Sequence, residues 1–273
     1  MATKILNKAI KKLANKLGVE INRSQKVNST EIEKDYLLLP KKGLTYSNDL
    51  LYTYHNADFL NDPHFVESYS LGKQTDGGKL LKDYDIQWRI HVLCWAAYHA
   101  RHLEGDFVDC GVHTGIFARA IVHFIKFEET GKKYYLLDTF KGMDPDYSNE
   151  RELERHKLMD YNNRDENVLY NQVKETFKNY NVEIIKGSVP ETLPLVTAEK
   201  ICFLSIDMNC VEPEVKALEY FWDRMVPGGM ILLDDYGYAN STNDQKEAHD
   251  QFARLKGVMV LTLPTCQGLI VKP

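Results

Sequence analysis

The sequence predicts an α/β fold, a doubly wound and mostly parallel seven-stranded sheet that closes with a C-terminal antiparallel hairpin, behind an N-terminal helical and irregular cap. Three observations carry that prediction. From residue 106 onward, short apolar runs alternate with amphipathic stretches, the pattern of strands joined by crossover helices. The last two apolar runs, 257–263 and 268–272, are separated only by Pro264-Thr265-Cys266-Gln267, too short for a crossover and therefore a hairpin. Finally, Asp106-Phe107-Val108-Asp109-Cys110-Gly111-Val112-His113-Thr114-Gly115 passes from an apolar run through a glycine loop into the apolar-periodic run 116–127, which reads as strand, tight turn and helix.

Composition narrows the class. The chain has 273 residues, 44% apolar and 27% charged, ordinary values for a globular protein with one large domain or two small ones. Its five cysteines are scattered without CxxC spacing, which favours a reduced, cytoplasmic chain over a disulfide framework or structural zinc. No apolar run approaches the ~20 residues needed to span a bilayer, and lysines interrupt the apolar residues of the N-terminus, unlike a signal peptide. Residues 1–30 carry a net +6, which leaves −11 on the remainder. An acidic body argues against a nucleic-acid binder.

In chain order, residues 1–35 form a first segment. Leu6, Ile10, Leu13 and Leu17 share one face of a helix over 4–17 whose other positions carry five lysines, and a polar linker follows. Such a helix suits weak contact with an anionic membrane surface, or packing on its own body or a second subunit. Residues 36–84 hold six tyrosines without a sustained period and read as an ordered cap. The domain proper spans 85–273. It opens with a helix over 85–102 whose His91, His99 and His102 read as core or solvated histidines rather than metal ligands. Strands are expected at 106–110, 133–138, 182–186, 201–206, 229–234, 257–263 and 268–272, with helices near 116–128, 165–180, 213–225 and 242–256. The parallel sheet finished by a hairpin is the arrangement of class I methyltransferases, not of a nicotinamide-binding domain.

Ligands of doubly wound sheets sit beyond the carboxyl ends of the strands, so the strand ends are where chemistry is expected. The first offers Asp109, Gly111 and Gly115. Its glycines let a ligand approach the backbone, the helix start offers free N–H groups, and the acid can hold a cation. That combination suits a zwitterion such as S-adenosylmethionine better than a pyrophosphate. The second ends in Asp138, suited to a ribose or to capping the next segment. The third ends near Ser188, beside an adenine or simply in a turn. The fourth and fifth run into Asp207 and Asp234-Asp235. Three carboxyl groups at neighbouring strand ends repel one another unless a cation separates them, and hard oxygen ligands suit Mg²⁺; capping and pairing with Lys or Arg are the alternatives.

At these residues the chain resembles the macrocin O-methyltransferase family. The resemblance lies in Gly105-Asp-Phe-Val-Asp-Cys-Gly-Val-His-Thr-Gly115, Leu137-Asp-Thr-Phe-Lys-Gly142, Ile206-Asp-Met-Asn-Cys-Val-Glu212 and Val226-Pro-Gly-Gly-Met-Ile-Leu-Leu-Asp-Asp-Tyr-Gly237, over roughly residues 85–273. It implies a class I, S-adenosylmethionine-dependent enzyme that methylates sugar hydroxyls with Mg²⁺. By motif, Asp109, Gly111 and Gly115 would face the methionine end of the cofactor, Asp138 the ribose, and Asp207, Asp234 and Asp235 the metal. Two departures stand out: Asn209 occupies a position where family members often carry a candidate general base, and His113 stands where bulky aromatics are common.

The expected chemistry is in-line methyl transfer to a hydroxyl whose pKa the metal lowers, with Asp207, His249 and His113, in that order, as candidates to take its proton. The insertion at 140–165 and the tyrosines of 36–83 are where acceptor recognition is expected, with a small-molecule or glycan acceptor as the partner. Two other readings compete: a methyltransferase for a catechol-like aromatic, and a membrane-peripheral or assembly protein that keeps the fold without turnover. The number of subunits is open at this point.

Overall fold

The computed structural model describes residues 19–20, 39–77, 85–157, 165–238 and 243–273. The expected basic helix at 4–17, the linker that follows it and part of the 140–165 insertion lie outside these residues. The chain divides into two compact units, residues 1–57 and 58–273. In the first, β1 (Val19–Glu20) pairs antiparallel with β2 (Leu39–Pro40), and β3 (Tyr46–Asn48) with β4 (Leu51–Thr53). Asp49 and Leu50, the two residues between β3 and β4, both have positive φ, as a two-residue hairpin turn requires.

The second unit opens with α1 (Pro63–Thr75), which falls within the segment 36–84 expected as a cap. Asp62 caps it by accepting from His64 N at 2.8 Å and Phe65 N at 3.4 Å, and Pro63 supplies a first residue that lacks an N–H to satisfy. Its buried positions are Phe65, Ser68, Tyr69, Gly72 and Thr75, so small and polar residues do the packing and the apolar stripe is faint. Gly72 lies so close to the helix that begins at Ile116 that a Cβ there would come within 2.6 Å of Ile116 O.

Next come α2 (Gln87–Ala100), β5 (Asp106–Cys110), α3 (Ile116–Phe124), β6 (Tyr134–Asp138), α4 (Glu150–Lys157), α5 (Glu166–Phe177), β7 (Val182–Lys186), β8 (Ile201–Ile206), α6 (Val211–Phe221), β9 (Met225–Leu233), α7 (Asp244–Lys256), β10 (Leu261–Thr262) and β11 (Gly268–Val271). The sheet order is β10-β11-β9-β8-β5-β6-β7. All pairs are parallel except β9 with β11 and β11 with β10, so the expected doubly wound sheet and closing hairpin are both present. The winding reverses between β5 and β8.

Alternation along the strands sorts the core into two layers. Phe107, Phe203 and Leu232 face one layer with Phe65 of α1, Leu93 of α2 and Ile121 of α3. Val108, Leu204 and Leu233 face the other with Leu218 of α6 and Phe252 of α7. Two boundaries shift for local reasons. The strand expected at 257–263 shrinks to two residues because Gly257 (φ +69°) and Val258 return their N–H groups to Arg254 O and Ala253 O and so end α7. The strand expected at 229–234 starts at Met225, through an irregularity that moves the pairing from Ile201 with Met225 to Phe203 with Met230. Among the described residues, no helix is long and apolar enough to cross a membrane.

Candidate active site

The carboxyl ends of β6, β5, β8 and β9 are laced together by backbone hydrogen bonds. Gly111 N donates to Leu137 O (2.9 Å), Asp207 N to Cys110 O (2.8 Å) and Asp234 N to Ile206 O (3.0 Å). This closeness is what Gly111 serves: at φ +94° its absent Cβ would stand 1.9 Å from Asp207 O, so the glycine admits a neighbouring loop of the protein itself. Gly115, at φ +90°, likewise clears the Phe177 ring of α5, which a Cβ would approach to 2.8 Å. Both glycines are thus explained by chain packing before any ligand is considered.

Asp109 is the buried acid of this switch point. Two positions after Phe107, it belongs to the face covered by α2 and α3, and it is 1% exposed. Its Oδ1 has no hydrogen-bond partner among the described residues. Burial pushes its pKa up to about 8; the Ser205 hydroxyl opposes that, while the Asp138 and Asp234 carboxylates add to it. Asp138, at the end of β6, is already engaged. Its Oδ2 accepts from Val112 N and His113 N, both at 2.7 Å, and its Oδ1 from Phe140 N at 2.5 Å. It therefore ties the glycine loop to its own strand end and caps the following turn. Ser188 donates its hydroxyl to Asp144 in the insertion after β6.

Of the three acids expected at the fourth and fifth strand ends, Asp234 and Asp235 share Arg89, and Asp207 lies near enough to feel both. Asp207 and Asp235 both feel Asp234, and Asp207 feels Asp235 as well. Burial, followed by these carboxylates and Glu214, raises the Asp207 pKa well above the carboxylate range; burial and Asp234 raise that of Asp235 to about 6. Arg89 of α2 opposes both shifts. Its Nη1 lies 2.7 Å from Asp234 Oδ2 and 3.2 Å from Asp235 Oδ1. On the other side, Gln267 Nε2 donates to Asp234 Oδ1 at 2.9 Å, and Thr265 holds the Gln267 amide at 2.9 Å. Asn209, at φ +60°, donates to Asp207 Oδ1 at 3.2 Å. Among the described residues, no three His, Cys, Asp or Glu side chains converge closely enough to hold an ion as they stand. The donor chemistry, three carboxyl groups, nevertheless fits a hard divalent cation.

The two histidine candidates fare differently. His113 sits on the glycine loop with φ +51° and is half-buried. His249, on α7, is 1% exposed, with Nε2 3.1 Å from Glu214 Oε2 and its ring against Tyr236, so the described residues enclose it. Glu214 in turn accepts from Met208 N at 3.1 Å and from Gln245 Nε2 at 3.1 Å, so this buried group braces the loop that carries Asp207. On α2, His91 stacks on Phe59 at 4.0 Å, and burial lowers its pKa.

Sequence reasoning missed Arg89, Glu214 and Gln267. Arg89 left one trace, as the single Lys or Arg between residues 83 and 100. Gln267 lay inside a tetrapeptide read only as a turn.

Comparison with known proteins agrees with this architecture. The family model described as macrocin O-methyltransferase (TylF) matches residues 90–261. The chain belongs to the macrocin O-methyltransferase family. A Streptomyces olivaceus protein, the 8-demethyl-8-(2,3-dimethoxy-alpha-L-rhamnosyl)-tetracenomycin-C 4'-O-methyltransferase, is 27% identical over 151 residues, which cover 52% of this chain and 57% of that protein. The mycinamicin III 3''-O-methyltransferase of Micromonospora griseorubida is 26% identical over 147 residues, 49% of this chain and 56% of that one. The match thus spans little more than half the length of these relatives. Among solved structures, the O-methyltransferase NovP superposes with a TM-score of 0.56 at 19% identity, covering 67% of this chain and 79% of that one, a likeness of fold.

Proposed function

We propose that the protein is an S-adenosylmethionine-dependent O-methyltransferase that acts on a hydroxyl of a sugar or a glycosylated natural product, with a divalent cation, Mg²⁺, at its strand-end acids. The reading is supported by family membership, by relatives named for 4'-O and 3''-O methylation of glycosylated compounds, and above all by one observation. The buried Asp109 Oδ1, without a partner among the described residues, lies at the switch point next to the loop that starts α3.

An orphaned carboxyl oxygen at that place fits the ammonium group of the cofactor's methionine end, whose charge would favour the ionised acid, and the first N–H groups of α3 fit its carboxylate. Asp138 keeps room for one more donor, such as a ribose hydroxyl, since a carboxylate offers about four lone-pair sites and three are used. Ser188 lies at the third strand end, where the adenine is expected. S-adenosylmethionine supplies a methyl group already activated by its sulfonium. Mg²⁺ held by Asp207, Asp234 and Asp235 supplies a charge that lowers the pKa of an acceptor hydroxyl. Removal of the acceptor proton falls to Asp207 or His113, the two candidates on strand-end loops; the burial of His249 assigns it to bracing instead.

The test is transfer of labelled methyl groups to a panel of nucleotide sugars, glycosides and phenols, with Mg²⁺ and with EDTA. Sugar hydroxyls are expected to be labelled. Chelation or Asp234→Asn should lower the rate about a hundredfold or more, the scale on which removing a charge-stabilising group acts. Full activity of Asp234→Asn in EDTA would sink the metal part, and labelling confined to phenols would sink the acceptor.

A further inference from the structure

We propose that Arg89 is the resident counter-ion of the Asp207, Asp234 and Asp235 site, and that a divalent cation binds there by displacing it. Guanidinium and metal are then alternative occupants of the same carboxylate oxygens. The inference rests on the reading of these acids as metal ligands and adds to it a competitor built into the fold.

Geometry carries it. With Asp234 and Asp235, Arg89 does not form the forked, two-nitrogen pair that arginine makes with a single carboxylate. Its Nη1 stands between Asp234 Oδ2 (2.7 Å) and Asp235 Oδ1 (3.2 Å), bridging two acids as a point cation would. All three side chains are largely withdrawn from water, with exposures of 11% for Arg89, 7% for Asp234 and 19% for Asp235, so solvent screens the contact poorly. Two cations sharing these oxygens would repel at close range under the same weak screening.

The surroundings fit an exchange of occupants. Asp234 is oriented independently of Arg89, because Gln267 holds its Oδ1 and Thr265 holds Gln267. The acid therefore stays in place when the arginine leaves. The start of α2 is pinned as well: Asp85 accepts from Tyr69 Oη at 2.9 Å and lies 2.5 Å from Lys73 Nζ, while Ile86 N donates to Tyr69 Oη at 3.1 Å. The helix start thus holds its place while the Arg89 side chain exchanges partners.

The experiment is Mn²⁺ titration, read by the electron paramagnetic resonance of the free ion, into the full chain and into its Arg89→Met and Arg89→Lys variants. Thermal melts are recorded with and without Mn²⁺. Arg89→Met should bind Mn²⁺ about tenfold tighter or more, the scale of a close, desolvated charge pair, and Arg89→Lys several-fold tighter. Without metal Arg89→Met should melt lower than the parent, and Mn²⁺ should raise its Tm by more than it raises the parent's. If Arg89→Met does not fold, Arg89→Lys decides. Equal or weaker Mn²⁺ affinity in the folded variants overturns the competition alone. Absence of Mn²⁺ binding by every chain overturns the metal reading and the competition with it.

Discussion

Asp109 holds a carboxyl group where an acid is least comfortable, at 1% exposure and with a pKa near 8 against a usual 3.8. The sign of the consequence follows from linkage. The folded protein keeps a proton that the unfolded chain releases, so this group's contribution favours folding at low pH. It is lost as the pH rises from about 4 through about 8, at up to ~1.4 kcal/mol per pH unit. Asp109→Asn removes the titration while keeping the shape. Thermal melts of cofactor-free protein between pH 5 and 8 should therefore show a shallower fall of Tm in the variant than in the parent, and parallel profiles would contradict the shift. At this scale much of the site was legible in the sequence. Asp109, Asp138, Asp207, Asp234 and Asp235 each end an apolar run, and period-2 alternation with parallel pairing forces such ends together. Arg89 was not legible, because it stands on a helix 145 positions before Asp234 and no motif marks it. Nor was the burial of His249, since one short helix does not show which of its faces meets a neighbour.

Elements hold the acids in place through groups that do no chemistry themselves. Glu214 on α6 is 2% exposed and gathers the Met208 N–H, the Gln245 amide and the His249 ring, joining α6, α7 and the Asp207 loop. Glu214→Ala would leave the Met208 N–H and the Gln245 amide without this acceptor and the His249 ring without its charged neighbour. It should cost about 3 kcal/mol or more, seen as a lower urea midpoint, and Glu214→Gln should cost less. A loss under 1 kcal/mol in Glu214→Ala would mean that the cluster braces nothing. The insertion after β6 makes a similar brace, since Glu152 of α4 accepts the Val211 N–H at the start of α6 at 2.9 Å. The strands and most helices were readable from their apolar runs and periods. The helix α1 was not, because Ser68, Gly72 and Thr75 take buried places and only the Asp62-Pro63 cap with Phe65 and Tyr69 marked it.

At the scale of the whole chain, two boundaries, after residue 57 in the structure and near residue 84 in the sequence reading, lead to different expectations for folding. Both core layers of the second unit are assembled from residues that follow Asp58: Phe65 and Tyr69 of α1 enter one layer, and every strand of the seven-stranded sheet lies further on. A chain cut at 84/85, where the sequence alone placed the domain, would lose α1. That loss would uncover the close α1–α3 contact at Gly72 and remove Tyr69 from beneath Asp85 and Ile86 at the start of α2. Burial of two aromatic side chains is worth several kcal/mol, about 1.5–3 kcal/mol each, against a typical total of ~5–15 kcal/mol. A chain of residues 58–273 should therefore melt cooperatively and bind S-adenosylmethionine, whereas 85–273 should be poorly folded or lose most of its stability. Calorimetric melts and cofactor titrations of the two chains decide the matter: equal stability would show that α1 is dispensable, and failure of 58–273 to fold would show that the first unit completes the core.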